Sequence, residues 1–221
     1  QYFDFDNYGN IFAVDHDADF QGERERLVYL PEGSDSGWRM YYQYRNTTLV
    51  RAARDNLYNP WLGEKMWLPF HREQPSHILP AIENSWNAPA AFSFQPGTAL
   101  DGAYSDHFLL GGMGDIRAFR MIADGAGFKR QGDHILIQGL GAQVLTSAFG
   151  PDGRLYFTLW RPNRGMSQLW TLQANTNLQN MTHVKEILAK DQKTQSVDEL
   201  LALLGHSDRR IRQQAQFALV A

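Results

Sequence analysis

The chain has 221 residues, of which 43% are hydrophobic and 20% are charged, and its 21 basic and 24 acidic side chains give a formal net charge of −3. This composition predicts a globular protein and argues against a nucleic-acid-binding domain, which usually carries a strongly basic surface. Because the chain has no cysteine, disulfides, thiolate metal sites and covalently attached c-type haem are excluded within these residues.

A tight turn followed by a strand-like run recurs along the chain. Residues 5–14 and 149–158 place Asp or Asn and Gly before β-favouring residues, and residues 107–112 are a plainer version of the same pattern. A second strand-like run follows each of the three, at 26–30, 115–121 and 167–172. The repeated unit is therefore predicted to be a β-meander.

The spacing of these units predicts a mainly β fold. The separation of Gly9 and Gly153 accommodates about three propeller blades of roughly 40–50 residues each. Residues 1–173 are therefore predicted to form three to four blades of a β-propeller, with a β-sandwich as the structural alternative. Residues 45–80 interrupt the pattern and are predicted to form a long excursion over one face, as a binding loop or as a structural buttress.

The last part of the chain has a helical pattern. Residues 174–195 are predicted to be a linker with a short helix, and Ser196 opens a capping-box sequence at the start of the next helix. Ser207 or Asp208 can cap a further helix, so residues 196–221 are predicted to form an αα-hairpin that is the truncated first HEAT-like repeat. Since one hairpin cannot bury its own apolar faces, the chain is expected to be a fragment of a longer protein.

An acidic loop is the first candidate site. Asp15, Asp17 and Asp19 stand at alternate positions, and carboxylates so spaced can converge on a hard cation such as calcium. The loop lacks the glycine and the glutamate of an EF-hand, and a solvated loop is the alternative. His16 lies within it and is a candidate base or ligand, because imidazole titrates near neutral pH.

Two further motifs look like known sites without satisfying their requirements. Residues 33–39 resemble a nucleophile elbow, but Asp35 stands where serine is needed, so a tight turn is predicted. Arg39 at its end is predicted to point to the mouth of the propeller channel or to make a structural ion pair. Residues 139–144 contain Gly-Leu-Gly without the third glycine or a βαβ context, which argues against a dinucleotide site.

Several segments of the chain have a shared likeness, namely the acidic loop and residues 6–12, 22–29, 33–39, 74–80, 149–153, 196–200 and 212–219. Together they resemble the later blades of bacterial glucose/sorbosone dehydrogenase-like propellers. The whole chain is similar to the multidomain membrane-bound dehydrogenase family of planctomycetes and verrucomicrobia, which joins such a propeller to HEAT-like repeats and a c-type cytochrome domain.

This resemblance implies the carboxy-terminal part of a six-bladed propeller from a quinoprotein-type sugar or alcohol dehydrogenase. It implies calcium at Asp15, Asp17 and Asp19 and pyrroloquinoline quinone beside His16 and Arg39, whereas the catalytic histidine of the family comes from an earlier blade that is expected to lie outside this chain. It further implies a periplasmic location and a c-type cytochrome domain as electron acceptor, in the same full-length polypeptide.

One departure from the family pattern keeps a second interpretation open. The family places arginines before its last Pro-Asp-Gly strand to hold the quinone carboxylates, whereas residues 143–148 contain no arginine. The alternative is a non-catalytic propeller and solenoid that binds carbohydrate or protein. The aromatic residues between 38 and 86 would then stack on sugars, or simply fill the space between blades.

Overall fold

The computed structural model describes residues 2–16, 24–36, 72, 79–85, 88–161, 166–174 and 178–221. A four-stranded antiparallel sheet comes first, with strands β1 (Tyr2–Phe5), β2 (Ile11–Val14), β3 (Glu25–Tyr29) and β4 (Glu83–Ser85). A six-stranded antiparallel sheet follows, with β5 (Ala91–Phe94), β6 (Phe108–Gly111), β7 (Met113–Asp124), β8 (Gly127–Phe149), β9 (Leu155–Arg161) and β10 (Met166–Leu172). Helices α1 (Leu178–Ala189), α2 (Val197–Leu203) and α3 (Arg209–Leu219) complete the described chain.

In both sheets each strand pairs with its neighbour in sequence, so both are meanders. The first sheet has the four antiparallel strands of one propeller blade. The predicted fold class is confirmed: the chain is mainly β, with a partial propeller arrangement followed by short helices. Within the described residues, no helix has the length and apolar character needed to span a membrane.

Strand β8 is long because it pairs with different neighbouring strands along its first and last parts. Its first part pairs with β7 and its last part, from Gln143 onwards, pairs with β9. Between them Gly139 and Gly141 adopt φ values of 77° and 59°, which glycine reaches without a steric penalty. The Gly-Leu-Gly sequence is therefore a bend within a strand, consistent with the prediction that it is not a dinucleotide loop.

An aromatic cluster joins the two sheets. Phe12 of β2 lies edge-on to Phe108 of β6 at 5.1 Å between ring centroids, and Phe92 of β5 stacks on Phe108 at 4.9 Å. Phe94 approaches the same ring at 4.8 Å. All four rings are buried, and burying each one contributes about 2–3 kcal/mol, so Phe108 is the centre of the core between the sheets.

The three helices pack on one another as well as on the sheets. Val184 and Ile187 of α1 are buried against Ile211 of α3. The capping box at Ser196 is confirmed, since Ser196 and Glu199 exchange side-chain and backbone hydrogen bonds. Asp208, rather than Ser207, caps α3. Helix α1 lies within residues 174–195, where a short helix was predicted.

The start of α3 is anchored to both sheets. The backbone N–H of Arg209 donates to the carbonyl oxygen of Pro96 at 2.7 Å, and its guanidinium pairs with Asp4 of β1 at 3.0 Å. Arg210 donates to the carbonyl oxygen of Gly150 at 2.7 Å and pairs with Asp208 at 2.8 Å. The helical segment is thus fixed to the propeller part by charged and backbone contacts.

The carboxylate of Asp208 is the buried centre of this anchor. It accepts a hydrogen bond from the hydroxyl of Thr98 at 2.5 Å in addition to its contacts with Arg210. Burial by itself raises the pKa of Asp208, but the hydrogen bonds and charge of Arg210 and the bond from Thr98 offset it, so the pKa lies below the ordinary 3.8. The folded state therefore favours the ionised carboxylate.

We predict that Asp208 makes the fold acid-sensitive. Because its folded-state pKa is depressed, its contribution to stability is present above about pH 4 and is lost as the pH falls through the folded-state pKa. Asp208→Asn should lower the free energy of unfolding by about 1–3 kcal/mol at pH 7, and the difference from wild type should narrow towards about pH 2. Urea unfolding of the variant and the wild type at both pH values measures this difference in the free energy of unfolding. Exposed Asp198→Asn is the matched control, and a pH-independent difference would contradict the assignment.

A second prediction concerns the close approach between Gly97 and the turn before α3. Gly97 has a φ of 113°, and a Cβ there would overlap the backbone carbonyl oxygen of Ser207. Gly97→Ala should therefore destabilise the chain by at least about 3 kcal/mol, from backbone strain and overlap together. Gly125→Ala is the matched control, because Gly125 has a φ of 62° and open space around it. Gly125→Ala should lower the free energy of unfolding by only about 1 kcal/mol. Equal losses of stability for the two variants in thermal unfolding would contradict the close approach of Gly97 to Ser207.

Candidate functional site

Polar residues occupy neighbouring backbone positions where three strands of the first sheet end. Beyond the last pair of β2 and β3, the backbone N–H of Asp15 donates to the carbonyl oxygen of Arg26 at 2.9 Å, so the two strands stay paired there. Arg26 is in turn paired with Asn84 of β4. His16 and Glu25 are the next residues along the two strands, so the same register continued by one position sets them opposite each other on the backbone. We call Asp15, His16, Glu25, Arg26 and Asn84 the sheet-end polar cluster.

Asp15 and Arg26 form an ion pair inside this cluster. Arg26 Nε donates to Asp15 Oδ2 at 2.5 Å, and the side chains of Arg26 and Asp15 are 1% and 10% exposed, respectively. A buried guanidinium is strongly unfavourable unless a carboxylate neutralises it. The carboxylate of Asp15 therefore helps to neutralise Arg26.

In each of the other three residues of the cluster, one buried polar atom has no hydrogen-bond partner among the residues that the structure describes. These atoms are Nδ1 of His16, Oε2 of Glu25 and Oδ1 of Asn84. Buried polar atoms in folded proteins nearly always have a partner, and exceptions mark strain, a functional site or an ion or water. Carboxylate and amide oxygens are ligands that calcium takes, while a histidine nitrogen can hold or move a proton.

The structure locates two of the five site residues predicted from the sequence. Asp15 and His16 lie together at the end of β2, whereas Asp17, Asp19 and Arg39 are outside the described residues. Asp15 was predicted to bind calcium, and the structure places its carboxylate in an ion pair. Within the described ranges, no three His, Cys, Asp or Glu side chains are grouped as metal ligands.

Glu25 and Asn84 were not predicted from the sequence. Glu25 is 6% exposed and Arg26 is 1% exposed, so strand β3 begins with two consecutive buried charges. Charged residues are almost never fully buried unless they are paired. Two consecutive charged residues at the start of the otherwise apolar strand β3 could have indicated Glu25 as a candidate site residue. Asn84 carries no such signal, since it is a single amide next to a glutamate.

The donor atoms fit calcium better than they fit a quinone. Oε2 of Glu25 is a buried carboxyl oxygen without a partner in the described part of the chain, which suits a hard cation at the base of the acidic loop. Residues 143–148, by contrast, contain no guanidinium, and the amide of Gln143 donates to the carbonyl oxygen of Ala88. That stretch does not fit the carboxylates of pyrroloquinoline quinone.

Comparison with known proteins finds similarity at the level of the backbone. No family model matches the chain, and no curated protein matches it. Among solved structures, a glucose dehydrogenase is 13% identical with a TM-score of 0.47, covering 78% of this chain and 40% of its own. An oxidoreductase from Thermus thermophilus, described as a glucose dehydrogenase, is 16% identical with a TM-score of 0.45, covering 74% of this chain and 42% of its own.

A further glucose dehydrogenase is 18% identical with a TM-score of 0.47, covering 76% of this chain and 42% of its own. The chain thus spans about two fifths of the length of the glucose dehydrogenases it matches. Identities of this size assign no role to any residue of the sheet-end polar cluster.

We predict that the Asp15–Arg26 ion pair is needed for folding. Asp15→Asn leaves the guanidinium of Arg26 without its carboxylate, which should lower the free energy of unfolding by about 3 kcal/mol. The matched control is Asp124→Asn, because Asp124 pairs with Lys129 at 3.4 Å with both side chains more than half exposed. The control should change stability by less than about 0.5 kcal/mol in urea unfolding. An equally small effect of Asp15→Asn would contradict the assignment.

Proposed function

We propose that this chain is part of a quinoprotein-type sugar or alcohol dehydrogenase, an oxidoreductase that passes electrons to a c-type cytochrome. The proposal starts from the resemblance to glucose/sorbosone dehydrogenase-like propellers. The observation that carries it is the sheet-end polar cluster, in which three buried polar atoms at the base of an acidic loop have no partner among the described residues. Such a cluster suits a cation and a hydroxyl-bearing substrate.

In this proposal the cation is calcium, held by Glu25 together with Asp17 and Asp19 of the acidic loop. Asp15 stays out of the ligand set because its carboxylate neutralises Arg26. When bound, the ion supplies positive charge that polarises an oxygen atom of the reacting groups. The ion pair keeps β2 and β3 together at the point where the loop leaves the sheet.

His16 is the proposed general base. Oxidation of an alcohol requires that the hydroxyl proton be removed as the carbon loses hydride, and imidazole is the side chain that most often accepts such a proton. Nδ1 of His16 has no hydrogen-bond partner within the described residues, which leaves this atom open to contact with a substrate hydroxyl. The backbone pairing of Asp15 with Arg26 at 2.9 Å holds the chain immediately before His16.

The quinone, the cytochrome and a periplasmic location belong to the proposal through the family resemblance. Arg39 and His16 are the residues that the resemblance assigns to the quinone. Residues 143–148 provide no guanidinium for its carboxylates. This observation favours a second candidate function, in which the propeller and its helices bind carbohydrate or protein without catalysis.

The proposed calcium ligands are tested by calorimetric titration of the chain with calcium. Glu25→Gln keeps the shape of the side chain but removes its charge, and it should weaken calcium binding at least about tenfold, since ligand charge sets calcium affinity. Asp17→Ala should have a similar effect without unfolding the chain. Glu32→Gln is the matched control, because Glu32 is exposed in the turn after β3. Unchanged titrations of both ligand variants would exclude the metal assignment.

The enzymatic part is tested on the full-length protein that contains this chain. Dye-linked oxidation of a panel of aldoses and alcohols is measured with calcium, with and without added pyrroloquinoline quinone. We expect quinone-dependent turnover that His16→Asn reduces at least about 100-fold, the contribution typical of a general base. No turnover across the panel would refute the dehydrogenase. Sugar binding that survives calcium chelation would favour the non-catalytic alternative instead.

A further inference from the structure

A cluster of two histidines and a tyrosine lies on the second sheet. Tyr104 and His107 belong to the loop between β5 and β6, and His134 is on β8. The ring centroids of His107 and His134 are 5.8 Å apart, and the ring of Tyr104 is 5.5 Å from the first and 5.8 Å from the second. His134 is exposed and His107 is half-buried. We call these three residues the two-histidine cluster.

The hydrogen bond of His107 defines which of its nitrogen atoms can bind a ligand. Nδ1 of His107 lies 2.8 Å from the carbonyl oxygen of Ser105. A carbonyl oxygen can only accept, so Nδ1 carries the proton and Nε2 keeps its lone pair. Metal-binding histidines typically donate their second ring N–H to a backbone carbonyl in this way, which fixes the tautomer and the ring orientation.

The distance between the two histidine rings suits a single ion. Imidazole nitrogen atoms bind zinc at about 2.0–2.1 Å with tetrahedral angles, which brings the two ring centroids to about 5–6 Å from each other. The observed 5.8 Å lies in this range. The imidazole of His134 makes no hydrogen bond within the described chain, so its ring nitrogens are available.

The loop that carries His107 is held in a strained conformation. Leu100, Tyr104 and Asp106 have φ values of 49°, 58° and 60°, and residues other than glycine rarely adopt this left-handed region. The buried amide of Gln95 holds the loop by donating to the carbonyl oxygens of Ala99 and Ala103 at 2.7 and 2.8 Å. Strain maintained by such contacts is concentrated at functional sites and pre-organises the side chains there.

The neighbouring carboxylates are engaged elsewhere. Asp133 pairs with Arg117 at 2.6 Å and also contacts Arg130, and Asp106 accepts a hydrogen bond from Asn7 at 2.6 Å. The donors left for a ligand are therefore imidazole nitrogens. Imidazole suits copper and zinc, whereas calcium takes oxygen ligands.

We propose that His107 and His134 bind one divalent transition-metal ion, with copper(II) bound more tightly than zinc. The order follows from the general preference of nitrogen ligands for copper over zinc. Water completes the coordination on the exposed side, and Tyr104 packs against both imidazoles. This site is separate from the sheet-end polar cluster and does not depend on the proposed dehydrogenase activity.

The test is calorimetric titration of the whole chain with copper(II) chloride and zinc chloride in a non-coordinating buffer, with electron paramagnetic resonance of the copper-loaded sample. We expect one equivalent of copper, a spectrum with two imidazole nitrogens, and at least about a tenfold loss of affinity in both His107→Ala and His134→Ala, since each removes one of two protein ligands. His183→Ala is the matched control, since His183 is an exposed histidine on α1.

The variants separate the possible outcomes. The side chain of His134 is exposed and makes no hydrogen bond in the described chain, so His134→Ala should fold even if His107→Ala disturbs its loop. Unchanged copper affinity in His134→Ala, or a loss confined to His183→Ala, would overturn the proposal. Calcium titrations of the same variants should remain unchanged, so a failure here is distinguishable from a failure of the calcium assignment.

Discussion

The ion pair between Asp15 and Arg26 determines what the end of the first sheet can do. Arg26 is 1% exposed, and a guanidinium removed from water to this degree needs a carboxylate. Asp15 supplies it across the strand pair, and the backbone bond between the same two residues keeps β2 and β3 in register. The acidic loop therefore starts from a residue that the ion pair and the backbone bond hold in place.

Next to this ion pair, Glu25 is a further candidate for the proposed cation site. The two residues lie on adjacent strands, but only Glu25 has a buried carboxylate oxygen without a partner in the described chain. The remaining architecture holds this end of the sheet in place. The aromatic core around Phe108 joins the two sheets, and the contacts of Arg209 and Arg210 fasten α3 to both of them.

Features encoded locally could be predicted from the sequence, whereas those that depend on long-range pairing could not. The turns that end at Gly9 and Gly153 precede strands β2 and β9, and Ser196 opens a capping box. These features could be predicted because each depends on residues that are close together in the chain. Asn84, by contrast, joins the sheet-end polar cluster only through the register of β4. In the same way, His107 lies near His134 only because the sheet brings β8 beside the loop after β5. A sequence pattern assigns such residues to elements but does not show which of them become neighbours.

The most direct test of a cation at the end of the first sheet is a crystal structure of the chain grown with terbium, a calcium substitute with strong anomalous scattering. The account predicts an anomalous peak within about 2.3–2.6 Å of the Glu25 carboxylate, the range of calcium–oxygen bonds, with Asp15 still paired to Arg26. No peak at Glu25, or a protein donor bound to its Oε2 atom, would contradict the account.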